Sequence, residues 1–85
     1  MQELVGNTVV IDVESLFVFV GTLSEVRDKT LILTNADVHD LRDSKTTREL
    51  YVLDSKVHGI RANRKRVLVP LHQVVSVSLL ADVLQ

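Results

Sequence analysis

Apolar and polar residues change their period every few positions along this chain, and each change marks a short strand or a turn. From Thr8 to Val13 the run is β-branched, and Asp12 and Glu14 begin to alternate with Ile11 and Val13, the two-residue period of a half-buried strand. Glu14 and Ser15 follow as a tight turn. Residues 16–20 (Leu-Phe-Val-Phe-Val) are apolar at every position, which predicts a second strand covered on both faces. It runs into Gly21-Thr22-Leu23, and a glycine inside a strand marks a sharp bend or a close backbone approach. Residues 24–29 are polar and read as a connection. Residues 30–33 (Thr-Leu-Ile-Leu) then read as a third strand ending near Ala36.

The second half continues in short pieces. Residues 37–48 read as a charged loop holding Asp40, Asp43 and Ser44, residues 49–53 as a fourth short strand, and residues 55–65 as a basic loop around Gly59. Residues 66–69 (Arg-Val-Leu-Val) form a strand stopped by Pro70, which has no N–H to give to a ladder. After a turn over residues 70–73, residues 74–79 alternate cleanly; the chain near Val83 has no capping residue and is expected to fray. Five or six short strands in 85 residues predict an all-β fold, a small, strongly bent open barrel filling residues 1–85 as one domain.

Composition narrows the classes. Valine and leucine dominate, and the aromatic residues are Phe17, Phe19 and Tyr51 alone, so the core is built of aliphatic side chains. Cysteine is absent, which excludes disulfides and cysteine-ligated metal. The start of the chain carries no basic cluster, and no apolar run approaches the ~18 residues of a membrane span, so a cytoplasmic protein without a membrane partner is expected.

The net charge of −1 hides an asymmetry: residues 1–54 hold ten acids and five bases, whereas residues 55–85 hold five bases and one acid. Arg61, Arg64, Lys65 and Arg66 lie within six residues, with His58 nearby. Such a cluster can neutralise several phosphates, and stacking on bases would fall to the guanidinium planes because no aromatic is interleaved. The competing reading is a solvated loop, or one paired with the acidic 37–43 segment of a neighbour.

Catalytic signals are missing. His39, His58 and His72 lack the spacing of a metal site, so no metal and no cofactor are expected. The serines Ser15, Ser24, Ser44 and Ser55 fall in turns and loops, and there is no nucleophile elbow or glycine-rich phosphate loop. A non-enzymatic module with no small-molecule substrate is the expectation. Asp12 and Glu14 read as a solvated strand face, and Phe17 and Phe19, on one face of the second strand, as packing.

Several of these residues carry a family resemblance. Leu4, Gly6, Val9, Ile11 and Val13, then Gly21-Thr22-Leu23 and the 31–36 stretch (Leu-Ile-Leu-Thr-Asn-Ala), resemble the first Sm motif of the Sm and LSm proteins. Residues 67–69, the turn over 70–73 and residues 74–77 resemble the second motif, a strand–turn–strand unit. Ile60-Arg61-Ala62-Asn63 is also similar to part of that motif, but needs two extra residues before Val67. The resemblance implies a five-stranded open barrel whose fourth strand pairs with the fifth of the next copy. That closes a homo-oligomeric ring, here of five to seven subunits, through Val67, Leu68, Val69, Val75 and Val77.

The resemblance also implies RNA as a partner, held at the ring's inner rim. On this chain the matching positions are Lys29 and Thr30, with His72 on the histidine position of the bacterial Hfq group and Leu71 in place of its lysine. The family's stacking side chain and asparagine are replaced by Arg27-Asp28-Lys29-Thr30, so the RNA pocket is degenerate. The stretch from Arg66 to Val77 resembles the PRC-barrel as well, which implies a barrel that binds protein and not RNA.

Overall fold

The computed structural model describes residues 1–43 and 45–84. Among them the chain forms five strands, β1 (Thr8–Val13), β2 (Phe17–Arg27), β3 (Thr30–Asp40), β4 (Arg64–Pro70) and β5 (Val74–Leu79), with one helix, α1 (Arg48–His58), between β3 and β4. The sheet is antiparallel throughout, in the order β4-β3-β2-β1-β5, so β4 and β5 are its edges. No helix among the described residues is long and apolar enough to cross a membrane.

Curvature comes from β2 and β3, each eleven residues long. Their register shifts twice, between Val20 and Thr22 and between Leu23 and Glu25, and such irregularities bend and twist a strand. Gly21 sits at the first shift. A Cβ there would stand 2.8 Å from Ala36 Cβ and 2.9 Å from Ala36 Cα, so the two backbones meet where no larger residue fits. Ser24 Oγ donates to the Ile32 carbonyl (3.1 Å) at the second shift.

Bending separates two apolar layers. Inside the curve lie Val9, Ile11, Leu23, Leu31, Leu33, Ala36 and Val69. On the outer face Val10, Val18 and Val20 pack with Val52 of α1 and with Leu80. β1 is therefore covered on both sides, and so is β2 from Val18 to Val20; the double cover expected over 16–20 fails at Leu16 and Phe17, which are 51% and 36% exposed. Each fully buried Val, Leu or Ile contributes about 1.5–3 kcal/mol.

Several expectations are corrected. The residues 49–53 do not form a strand: they belong to α1. A short apolar run fits either element, and the termini decide. Thr47 Oγ1 accepts the Leu50 N–H (3.2 Å), Glu49 lies in the first turn, Lys56 and His58 lie in the last, and Gly59 (φ 90°) ends the helix with its N–H on the Ser55 carbonyl. An isolated helix of this length is marginal in water, so docking holds it. Arg48 pairs with Asp12, which also accepts from Ser76 Oγ (2.7 Å), and Lys56 Nζ donates to the Val83 carbonyl (2.6 Å). Asp12 is thus no solvated face, and Val83 is half-buried against the outer layer instead of frayed.

The connections shrink as well. β2 runs on to Arg27, leaving only Asp28 and Lys29 as its turn into β3, and β3 runs on to Asp40. The expected 37–48 loop is reduced to the segment after Asp40, and Ser44 lies outside the described residues. The expected 55–65 loop begins inside α1 and ends inside β4. The strand–turn–strand unit falls at Pro70, with Leu71–Gln73 as its turn, and Ile60 to Asn63 precede β4.

Substituting Gly21→Ala should lower stability by about 1–3 kcal/mol, the usual range for forcing a methyl into filled space. Adding Ala36→Gly should recover only part of that, because the Ala36 Cα is itself in the way. Chemical denaturation of the unsubstituted chain and the two variants checks this; an unchanged midpoint for Gly21→Ala would show that the strands do not meet there.

Candidate nucleic-acid interface

The first group of candidate residues is assembled by two turns. Asp28 and Lys29 have φ of 50° and 60°, which makes the β2–β3 connection a two-residue turn of the kind that suits the twist of a hairpin. Thr30 pairs with Pro70, and the Leu71 N–H donates to the Lys29 carbonyl (2.9 Å). That bond ties the β2–β3 turn to the β4–β5 turn. Lys29 and His72 are both exposed, with Thr30 half-buried between the strands. Arg27 lies next to them, its guanidinium 3.6 Å from Glu25. The patch offers an ammonium and an imidazole to an anion, and the His72 ring is the one flat group in it.

The second group is elsewhere. Arg64 pairs with Ala36, six positions along β3 from the Thr30–Pro70 pair. At ~3.3 Å per residue this is about 20 Å. Arg64, Lys65 and Arg66 are exposed, and strand alternation places Arg64 and Arg66 with Leu68 on one face of β4 and Lys65 on the other. Arg61 precedes the strand and lines a small cavity of about 190 Å³ with Asp37, Tyr51, Asp54, Ser55 and His58. The seven residues expected to meet RNA therefore divide into two patches at opposite ends of β4.

Two groups that sequence reasoning passed over hold this end of the molecule. The Asn63 side chain accepts the Val38 N–H (2.9 Å) and donates to the Val38 carbonyl (3.0 Å), while its own N–H reaches the Ala36 carbonyl (2.9 Å). Its amide continues the β3–β4 ladder by one step beyond the Ala36–Arg64 pair. Tyr51 hydroxyl donates to Asp37 Oδ2 (2.5 Å), and its ring stacks on His39, with centroids 3.9 Å apart and planes within 7°. His39 is thereby an ordered strand residue and not part of a solvated loop. Burial, and then the Asp37 carboxylate beside it, holds the Tyr51 phenol well above its ordinary range.

The residues expected at a subunit interface also divide. Val69 is buried in the chain's own core, and Val67 and Val77 are half-buried against it. Leu68 and Val75, 52% and 64% exposed, stand outward from the two edge strands. An open groove of about 450 Å³ runs along β5, lined by Leu4, Leu71, Val74, Val75 and Val77 among others.

Asn63→Ala should cost about 1–2 kcal/mol, since two side-chain bonds to the backbone are lost, with amide exchange at Val38 accelerated; protection unchanged at Val38 would count against this role. Tyr51 is the chain's one tyrosine, so its titration is directly visible. A phenol held above its value of 10.0 adds stability that is fully present below that pH and drains away as pH rises further. Tyrosinate absorbance of the folded chain should appear at higher pH than in denaturant, and Asp37→Asn should bring the two curves closer. Coincident curves for the unsubstituted chain would contradict the buried Tyr51–Asp37 pair.

No family model and no curated protein matches the sequence. Among solved structures, an Sm protein of Pyrococcus abyssii in complex with a uridine heptamer superimposes with a TM-score of 0.60 at 12% identity, over 92% of this chain and 89% of that one. At such low identity the likeness speaks for the backbone alone. This chain has a divergent Sm-like fold: a strongly bent, open, five-stranded antiparallel barrel.

Proposed function

We propose that this chain is one barrel that assembles into a closed ring of five to seven copies, works in the cytoplasm, and binds RNA without catalysing a reaction. The observation that carries the reading is the strand order, which leaves β4 and β5 as two free edges on one molecule. Every second backbone N–H and C=O of an edge strand lacks a partner, and natural proteins do not leave such edges bare. Pairing β4 of one copy with β5 of the next satisfies both, and a rotation that closes leaves no edge over. Leu68 and Val75 then lose their exposure, and the half-buried Val67 and Val77 extend the core across the junction.

RNA follows from the repetition of weak contacts. The ring multiplies Lys29, Thr30 and His72 at the tied turns, and Arg61, Arg64, Lys65 and Arg66 at the far end of β4. Contacts too weak singly become useful when several act on one strand. The Pyrococcus protein is the one seen with a uridine heptamer. Here the β2–β3 connection is only two residues long, with no aromatic or asparagine at it. Binding is therefore directed at phosphates and tolerant of sequence. That same tight turn favours a second reading, an assembly module whose partner is protein.

Native mass spectrometry should show a closed species of five to seven copies; a strict monomer at micromolar concentration would overturn the ring. Affinity for single-stranded RNA should fall steeply with salt. Replacing Arg64, Lys65 and Arg66 together with Gln should reduce the salt slope by about 2, from ~0.7 per phosphate contact, and weaken binding more than tenfold. Unchanged affinity would remove β4 from the interface, and absence of any RNA binding would favour the protein-interaction reading.

A further inference from the structure

Helix α1 is apolar on two sides. Val52 and Ser55 face the barrel and are buried. On the opposite side, Leu50, Leu53 and Val57 recur at i, i+3 and i+7, the spacing of one continuous stripe. Leu50 is 55% and Val57 57% exposed, with Leu53 half-buried between them, and a shallow groove bordered by Asp54 and His58 follows the stripe. A helix whose outer face meets only water normally carries charge there. This one carries its charges along the flanks, Glu49 and Lys56 on one side, Asp54 and His58 on the other.

We infer that this stripe is a self-association surface, on which α1 packs antiparallel against α1 of a second copy, separate from the sheet edges. The flanking charges choose the partner, and the helix dipoles favour the antiparallel direction. A parallel pair about a two-fold along the helices would align the two helix dipoles and set the Glu49/Lys56 flank against the partner's Asp54/His58 flank. An antiparallel pair related by a two-fold axis near Leu53 sets Leu50 against Val57 and Glu49 beside Lys56, each twice, and opposes the two helix dipoles. The needed groups are free enough to serve. Arg48 takes one Glu49 oxygen (2.9 Å), and the Lys56 ammonium, with three protons, uses one on Val83. Asp54 falls close to the axis and so faces its own copy, with His58 Nε2 3.6 Å from its carboxylate. Acids and bases are balanced around the stripe, which fits a second copy of the chain better than a polyanion.

The contact is weak taken alone. Eleven residues of helix span only ~16 Å, well short of what a standard interface of ~800 Å² per partner requires. It therefore reads out as concentration-dependent growth in mass and not as a fixed extra subunit count. The inference does not rest on the ring, and one experiment separates the two. In sedimentation velocity over a concentration series, the unsubstituted chain should climb above the plateau mass of a closed ring. The double variant Leu50→Glu/Val57→Glu, both at exposed positions, should stop at the plateau with its helical circular dichroism intact. Asp54→Asn, which removes the like charge near the axis, should climb at several-fold lower concentration.

A plateau with no climb, or a climb that the double variant leaves unchanged, would overturn the helix pairing and leave the ring standing. A monomer–dimer equilibrium abolished by the double variant would do the reverse. A monomer at every concentration would overturn both.

Discussion

The close approach of β2 and β3 at Gly21 and Ala36 is the constraint on which the rest of the structure depends. Two eleven-residue strands cannot enclose a core unless they bend together, and at this point the missing Cβ of Gly21 leaves room for Ala36 and nothing larger. The register shifts at Gly21 and just after it turn both strands round the same corner. Everything inside the bend, from Val9 and Ile11 to Leu31, Leu33 and Val69, is buried because the corner exists. The corner also opens the sheet, since β4 and β5 end on its two free sides and do not pair with each other.

The outer layer answers a problem the bend creates. Val10, Val18 and Val20 face away from the enclosed core and would lie in water if nothing covered them. Helix α1 covers them with Val52, and Leu80 and Val83 complete the patch. The helix is too short to be stable by itself, and its docking is fixed by polar contacts at both ends, Arg48 on Asp12 and Lys56 on Val83. Tyr51 adds a third point, carrying its hydroxyl to Asp37 and its ring to His39 on β3. One helix thus ties β1, β3 and the last turn of the chain, and it still presents apolar side chains outward.

Much of the candidate site was legible residue by residue and little of it as an arrangement. The basic cluster, the histidine in the turn and the tight turn near Lys29 are local features, and pattern reading finds local features. Their distances are another matter. Arg64 and His72 are close in sequence, yet the extended strand β4 lies between them and holds them apart, while Lys29 and Leu71 are far apart in sequence and joined by a hydrogen bond. Asn63 acts as a strand residue through its side chain, and nothing in its neighbours announces that. Tyr51, Asp37 and His39 meet only because the helix lies across β3.

The sequence by itself determined the β character, the strands at both ends of the sheet, the tight spot at Gly21 and the turn at Pro70. Each follows from side-chain period or from backbone freedom at one position, which are properties of a few adjacent residues. Only the tertiary structure decided that residues 49–53 are helical, because a short apolar run satisfies either period and the surface it must cover makes the choice. Only it decided which cations share a surface, because that depends on strand register, and register is set by bulges and cross-strand bonds between residues remote in the chain.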